Sequence, residues 1–157
     1  VSILSGCASL PEEYSELNKV HIAVNKIPYK SDQRNYGEEN YLATADEFYE
    51  NGGDCEDYSL AKYHELKKIG YSPDDMMIIL GEARYGMHAV LRVKVGDDYF
   101  ILDNNERRVL KDSVHYFKPY MAYNENEFII YSDKDFDGKT VPANLSKKEA
   151  DSVKRIF

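Results

Sequence analysis

Gly-Gly-Asp-Cys-Glu-Asp-Tyr, residues 52–58, joins a glycine-rich turn to the start of an amphipathic helix. Asp54 is a residue type preferred at a helix N-cap, and Gly70 supplies a stop signal further along the chain. The pattern therefore predicts a helix over residues 55–69 that begins at Cys55. Because a helix N-terminus favours a nearby negative charge, this position suits a thiol that must ionise.

Downstream of this helix the hydrophobic pattern changes to the period of strands. Residues 76–80 form an apolar run, and residues 87–95 and 99–103 flank a Gly-Asp pair that suits a two-residue hairpin turn. A further strand is predicted over residues 127–131. These segments predict an antiparallel sheet in the second half of the chain.

Helical patterns occupy the first half of the chain, over residues 11–27 and 44–50, and recur at its end over residues 145–156. Residues 28–40 are polar and are predicted to form a surface loop. Helices that precede strands in this way indicate an α+β fold. We expect helices packed on an antiparallel sheet, with the nucleophile at a helix N-terminus.

The register of the predicted hairpin brings a histidine and a carboxylate to one face of the sheet. With a two-residue turn, Val95 opposes Asp98. Counting outward then places His88 one diagonal step from Asp103, and diagonal neighbours lie about 7–8 Å apart at the backbone. Cys55, His88 and Asp103 are the residue types of a cysteine nucleophile, its general base and the group that orients the base.

Three carboxylates next to the thiol oppose its ionisation. Asp54, Glu56 and Asp57 surround Cys55 in a chain whose formal net charge is -8 at pH 7. A hard cation with oxygen ligands, such as Ca²⁺, would neutralise them. We predict a calcium site at Asp54 and Glu56, with Asp57 as a weaker ligand. Ordinary helix capping explains the same residues equally well, and residue types alone do not separate the two interpretations.

The remaining titratable residues give weaker signals. His21 lies on an apolar stripe and is predicted to be a core histidine. His64 lies on the opposite side of its helix from Cys55, and His115 has no clear carboxylate partner in the sequence. Residues 133–138 match the first half of an EF-hand loop, but the twelfth position is asparagine. We therefore predict an acidic turn there.

The bulk composition restricts the class of protein. The chain has 157 residues, and we assign residues 8–157 to a single domain. Its net charge is negative and its sequence has no cluster of Lys and Arg residues, which argues against a nucleic-acid partner. No stretch reaches the roughly 20 apolar residues that a transmembrane helix needs.

The N-terminus indicates export. Residues 4–7, Leu-Ser-Gly-Cys, resemble a bacterial lipobox. Residues 1–7 are therefore predicted to be a signal-peptide remnant, with Cys7 as the lipidation site. We expect the protein in the periplasm or outer envelope, on the membrane only through a lipid anchor.

A family resemblance rests on the 52–58 segment, on Met-His-Ala-Val around His88 and on Leu-Asp-Asn around Asp103. These residues resemble the bacterial transglutaminase-like cysteine peptidases, and in particular their LapG-like periplasmic branch. The resemblance covers about residues 40–110. It implies a papain/transglutaminase-like fold and a catalytic triad of Cys55, His88 and Asp103.

The same resemblance implies a cofactor and partners. Calcium would lie beside the nucleophile, held by Asp54 and Glu56. The LapG-like branch implies a large surface adhesin as the protein substrate and a cyclic-di-GMP-responsive membrane receptor as a further partner. The lack of tryptophan, the short length and the lipobox are departures from that branch.

The expected activity is that of an envelope-located cysteine endopeptidase, which transfers an acyl group to water. Two alternatives stay open at the level of sequence. Transglutaminase or amidase acyl transfer would use the same three residues, and a non-catalytic envelope lipoprotein could retain the fold as a binding module.

Overall fold

The chain folds as a set of helices followed by one antiparallel sheet. The computed structural model describes residues 12–115, 117–132, 135–140 and 155–157. The helices in these ranges are α1 (Glu12–Val24), α2 (Asp32–Asn35), α3 (Ala45–Asn51) and α4 (Cys55–Lys68), with short 3₁₀ turns at Pro73–Asp75 and Asp112–Val114. The strands are β1 (Met76–Ala83), β2 (Gly86–Val95), β3 (Asp98–Leu102), β4 (Leu110–Lys111), β5 (Lys118–Tyr123), β6 (Phe128–Ser132) and β7 (Asp135–Thr140). The predicted α+β fold is confirmed.

Two glycines set the ends of α4, the helix that carries the nucleophile. Gly52 precedes it with φ 75°, and a Cβ atom at this position would overlap the carbonyl oxygen of Pro28. Gly70 follows it with φ 105°, in the left-handed region that glycine adopts without strain. The turn before Cys55 and the end of the helix therefore both require residues without a side chain.

The sheet has seven strands in the order β4-β3-β2-β1-β5-β6-β7, and every neighbouring pair is antiparallel. Strands β2 and β3 form the hairpin expected from the sequence, with Val95 opposite Asp98 and Leu91 opposite Leu102. Asp103 directly follows β3, so it lies at the same end of the hairpin as His88, near the start of β2.

Two apolar clusters cover the two faces of the sheet. The first joins α1 and α4 to the sheet and includes Leu17, Tyr63, Leu66, Ile78, Leu91 and Leu102. The second, on the other face, is built around Ile79, Val90, Ile101 and Ala122. Because α4 packs directly against β2, the first cluster holds the helix that starts at Cys55 against the strand that contains His88.

Lys62 is a lysine on the buried face of α4. Its side chain is 0% exposed, and its Nζ has no hydrogen-bond partner in the part of the chain that the structure describes. Burial lowers the pKa of Lys62 to about 7, against an opposing effect of the Asp103 charge. Its Nζ lies 5.7 Å from the centre of the Tyr58 ring, but an enclosed amine without a hydrogen-bond acceptor is destabilising.

Lys62→Met is therefore expected to stabilise the fold, by about 1–3 kcal/mol. The folded-state pKa of about 7 lies below the ordinary lysine value of 10.5. The unfolded chain therefore binds more protons between these values, and the wild-type protein gains stability as the pH rises through that window. The benefit of methionine should be largest below pH 7. Urea unfolding at about pH 6 and pH 9.5 would measure it, and an equal gain at both values would contradict this explanation.

Besides the two-residue strand β4 and the two 3₁₀ turns, three elements of the described structure were not predicted. Strand β5 has one exposed, then three half-buried and then two buried side chains, and it contains Pro119, so it lacks the alternation that marks strands. Helix α2 interrupts the predicted surface loop over residues 28–40. The predicted acidic turn over residues 133–138 is wrong for residues 135–138, which belong to β7 and pair with β6. That pairing extends the backbone and is incompatible with a loop wrapped around a cation.

Several predicted features lie outside the described residues. They are the lipobox with Cys7 and most of the helix expected over residues 145–156. Of that helix, only Arg155 and Ile156 are described, and both are helical. Within the described ranges, no helix combines the length and the apolar character that crossing a bilayer demands.

Candidate active site

Asp57 holds the turn that presents the nucleophile. Its Oδ2 accepts a hydrogen bond from the backbone N–H of Asp54 at 3.1 Å, and its Oδ1 accepts one from Ala43 at 3.1 Å. A Cβ atom on Gly53 would overlap this carboxylate, so the position before Asp54 has no space for a side chain. Asp57 is therefore a capping residue, as the helix-capping interpretation of these acids expects. Its hydrogen bonds hold the turn in which Cys55 begins the helix.

The Cys55 thiol is held in its protonated form. Its Sγ donates a hydrogen bond to Oε2 of Glu56 at 2.8 Å. Burial raises the pKa of Cys55 far above its ordinary value, and the Glu56 charge, this hydrogen bond and Asp54 raise it further. The backbone N–H of Ala89 opposes these effects by donating toward the sulfur. Burial, together with the neighbouring carboxylates, therefore outweighs the favourable effect of the helix N-terminus on the thiolate.

His88 and Asp103 meet as the hairpin register predicted. Nε2 of His88 lies 2.6 Å from Oδ1 of Asp103, and the same oxygen accepts the backbone N–H of Asn105 at 2.8 Å. Burial alone would raise the pKa of Asp103, but hydrogen bonds from His115, His88 and Asn105 together lower it well below its usual range. The residue is therefore an ionised, buried partner for an imidazole.

His115 is the main correction to the sequence interpretation. We expected no carboxylate partner for it, yet its Nε2 lies 2.9 Å from Oδ2 of Asp103. The side chains of His115 and Asp103 are 7% and 6% exposed. The chain reaches this point through β4 and a 3₁₀ turn, a tertiary path that no local pattern indicates.

The structure brings the three predicted catalytic residues to one region, but it does not hydrogen-bond all three. Among the described residues, the thiol of Cys55 donates to Glu56 and not to His88. The contact between the sulfur and the Ala89 N–H places the thiol beside the residue that follows His88. With Nε2 turned to Asp103, Nδ1 is the ring nitrogen of His88 that has no hydrogen bond within the described part of the chain.

The acidic residues form two overlapping groups at the start of α4. Ligand atoms of Asp54, Cys55 and Glu56 lie within 4.8 Å of one another, and so do those of Asp32, Asp54 and Asp57. Asp32, on α2, was not among the predicted ligands because its loop carries no motif. The tertiary fold brings it in, and its Oδ2 accepts the backbone N–H of Tyr41 at 2.7 Å.

The electrostatics of these groups fit a divalent cation. Burial, reinforced by the Glu56 charge, raises the pKa of Asp54 to about 8, and burial raises that of Asp57 to about 7. The Oδ1 atom of Asp32 is buried without a hydrogen-bond partner in the described residues. An orphaned carboxylate oxygen beside two other acids matches the all-oxygen preference of Ca²⁺. The His21 and His64 side chains contact backbone carbonyls elsewhere and take no part.

A thiol at a helix N-terminus and a His–Asp pair at one end of the β2–β3 hairpin are the groups that thiol hydrolases of the papain and transglutaminase type use. The family model described as "bacterial transglutaminase-like cysteine proteinase BTLCP" matches residues 5–128. The chain therefore belongs to the bacterial transglutaminase-like cysteine proteinases, and it is a cysteine peptidase. A comparison with curated protein sequences gives no match.

Solved structures of LapG from Legionella pneumophila share this fold. The calcium-bound form has a TM-score of 0.71 and 27% identity, over 94% of this chain and 81% of that chain. The EGTA-treated form has a TM-score of 0.74 and 24% identity, over 95% and 81%. A third LapG structure has a TM-score of 0.65 and 28% identity, over 74% of this chain and 67% of that chain. The chain is thus a LapG-like cysteine protease.

Proposed function

We propose that the protein is an endopeptidase whose catalytic triad is Cys55, His88 and Asp103. The observation that supports this most is the buried 2.6 Å contact between Nε2 of His88 and Asp103. This contact leaves Nδ1 of His88 as the proton acceptor. The next residue, Ala89, donates its backbone N–H toward the Cys55 sulfur. In the proposed arrangement the Cys55 thiol turns from Glu56 to His88.

The proposed reaction is acyl transfer to water. His88 takes the thiol proton, the Cys55 sulfur attacks the peptide carbonyl carbon, and the C–N bond breaks as the imidazolium protonates the leaving amine. Water then attacks the thioester, gives one proton to His88 and releases the acid, and the thiol regains its proton. The backbone N–H of Cys55, which has no intrahelical acceptor at this position, is the proposed oxyanion donor.

We propose calcium as the cofactor, held by Asp54 and Glu56 with Asp32 as an additional ligand. Bound there, the ion would neutralise the carboxylates that keep the thiol protonated. The orphaned Oδ1 of Asp32 and the raised pKa of Asp54, about 8, support this assignment. Asp57 has both oxygens engaged by backbone N–H groups, which makes it a poorer ligand.

The substrate and location are proposed from the family resemblance and the N-terminal sequence. A protease acts on protein, and the likeness to LapG supports a large surface adhesin as the substrate and a cyclic-di-GMP-responsive membrane receptor as a regulator. The lipobox-like residues 4–7 support a periplasmic or outer-envelope address with Cys7 lipidated.

Cys55→Ala tests the proposed activity. Envelope and secreted proteins of cells that express the wild type or the variant would be compared by mass spectrometry of new protein termini. We expect at least one cleavage product to disappear, since the alanine variant has no nucleophile and its small side chain should leave the fold intact. Identical products would contradict the peptidase assignment. Incorporation of a labelled amine into the substrate, instead of hydrolysis, would show a transferase.

A further inference from the structure

Asp103 is shared by two imidazoles, one more than a catalytic triad needs. His88 lies 2.6 Å from its Oδ1, and His115 lies 2.9 Å from its Oδ2. All three side chains are at least nine-tenths buried. The two histidines arrive from different elements, His88 from β2 and His115 from the end of the 3₁₀ turn after β4.

The surroundings of His115 restrict which form of its ring fits. Its Nδ1 is buried and has no hydrogen-bond partner in the described part of the chain. A proton on that nitrogen would be a buried donor without an acceptor, which is costly. The tautomer that fits carries its proton on Nε2, so His115 donates to Oδ2 of Asp103. It cannot act as the base toward Cys55 through the same nitrogen.

This hydrogen bond fixes the Asp103 carboxylate from the side opposite His88. A carboxylate held only by His88 and the Asn105 N–H has both partners on Oδ1 and could rotate about its Cβ–Cγ bond. With Oδ2 held by His115, Oδ1 stays in line with Nε2 of His88. The imidazole is then kept in the orientation that presents Nδ1 to the thiol.

We propose that His115 is a positioning residue of the active site, which acts on Cys55 through Asp103 and His88. This inference rests on the triad proposed above. Other groups around Asp103 do not replace it. Lys62 and His21 interact with Asp103 through charge, but neither donates a hydrogen bond to it.

The test uses alkylation of the thiol, which requires no knowledge of the substrate. The calcium-loaded full chain would be treated with iodoacetamide at pH 7, and the rate of modification at Cys55 followed by peptide mass spectrometry. His115→Phe keeps a ring of similar volume and removes the donor. His115→Gln places an amide N–H near the position of Nε2. Both would be measured alone and in an Asp103→Asn background, with thermal unfolding to confirm the fold.

We expect His115→Phe to slow alkylation about tenfold, the effect of losing one hydrogen bond to a charged group. His115→Gln should recover most of that rate. In the Asp103→Asn background, His115→Phe should cause almost no further loss, because the carboxylate that it orients is gone. If the phenylalanine variant does not fold, His115→Leu has the same expectation.

The outcomes separate this inference from the proposed triad. If Asp103→Asn slows alkylation but His115→Phe does not, or if the two losses multiply independently, His115 is structural only and the inference is wrong. If Asp103→Asn itself leaves the alkylation rate unchanged, the triad assignment is wrong, and the inference about His115 is wrong as well.

Discussion

His88→Ala is expected to lower kcat/KM for cleavage of the protein substrate by about a thousandfold or more. The variant removes the group that takes the thiol proton, and the sulfur is then left in a buried position that opposes its ionisation. The fold should persist, since Asp103 keeps its hydrogen bonds from His115 and from the Asn105 N–H. Steady-state cleavage assays at pH 7 with saturating calcium would measure the loss.

His64→Ala is a matched control for this experiment. His64 lies on α4, the helix that begins with Cys55, but its Nε2 contacts the carbonyl of Ile156 at 2.6 Å and not the site. Its replacement should change kcat/KM by no more than about threefold, the effect of a small structural disturbance. Similar losses in the His88 and His64 variants would contradict the role of His88 as the base.

Removal of calcium is expected to reduce both cleavage and Cys55 alkylation by about a hundredfold, with full recovery when calcium is restored. The reason is that burial and the charges of Glu56 and Asp54 hold the thiol in its protonated form. A cation that neutralises these charges lowers the pKa of the thiol, and a change of two pKa units is a hundredfold change in thiolate.

Asp54→Asn should reproduce the effect of the chelator and remove the response to added calcium. Asp97→Asn is the control, because Asp97 is an exposed acid in the turn between β2 and β3. That variant should keep the wild-type response. Calcium-independent activity in the wild type, measured after exhaustive chelation, would contradict the proposed cofactor.

Calcium should also stabilise the fold more at high pH than at low pH. Burial and the Glu56 charge raise the pKa of Asp54 from its ordinary value of 3.8 to about 8. The native state therefore binds more protons than the unfolded chain between these values, and the metal-free protein loses stability as the pH rises through that window. Calcium relieves this loss and competes with protons for the same oxygens. The calcium-induced rise in Tm should be larger at pH 8.5 than at pH 5.5.

Much of the fold follows from local sequence signals. Two glycines, Gly52 and Gly70, bound the helix that starts at Cys55, and both have positive φ. Glycines at these positions are visible in the sequence, so the ends of the helix could be predicted. The hairpin register, fixed by a two-residue turn, was predicted correctly and brought His88 beside Asp103. Strand β5 was missed since its half-buried faces give no alternation, and its pairing with β1 is a long-range contact.

The parts of the site that sequence did not predict are those built by tertiary contacts. His115 reaches Asp103 by way of β4, and Asp32 reaches the acidic group from a short helix in a polar loop. Neither residue lies in a motif or at a regular spacing from the nucleophile. The hydrogen bond from the Cys55 thiol to Glu56 was also unexpected, because local sequence shows only that an acid is adjacent and not where it points.

The pH dependence of Cys55 alkylation tests the account most directly. It would be recorded with iodoacetamide for the calcium-loaded wild type and for His88→Ala, by quantifying the modified peptide. A thiol paired with an imidazole should react rapidly near pH 6–7, whereas the variant should react only above about pH 9, like an unassisted buried thiol. Superimposable profiles for the two proteins would show that His88 does not activate Cys55.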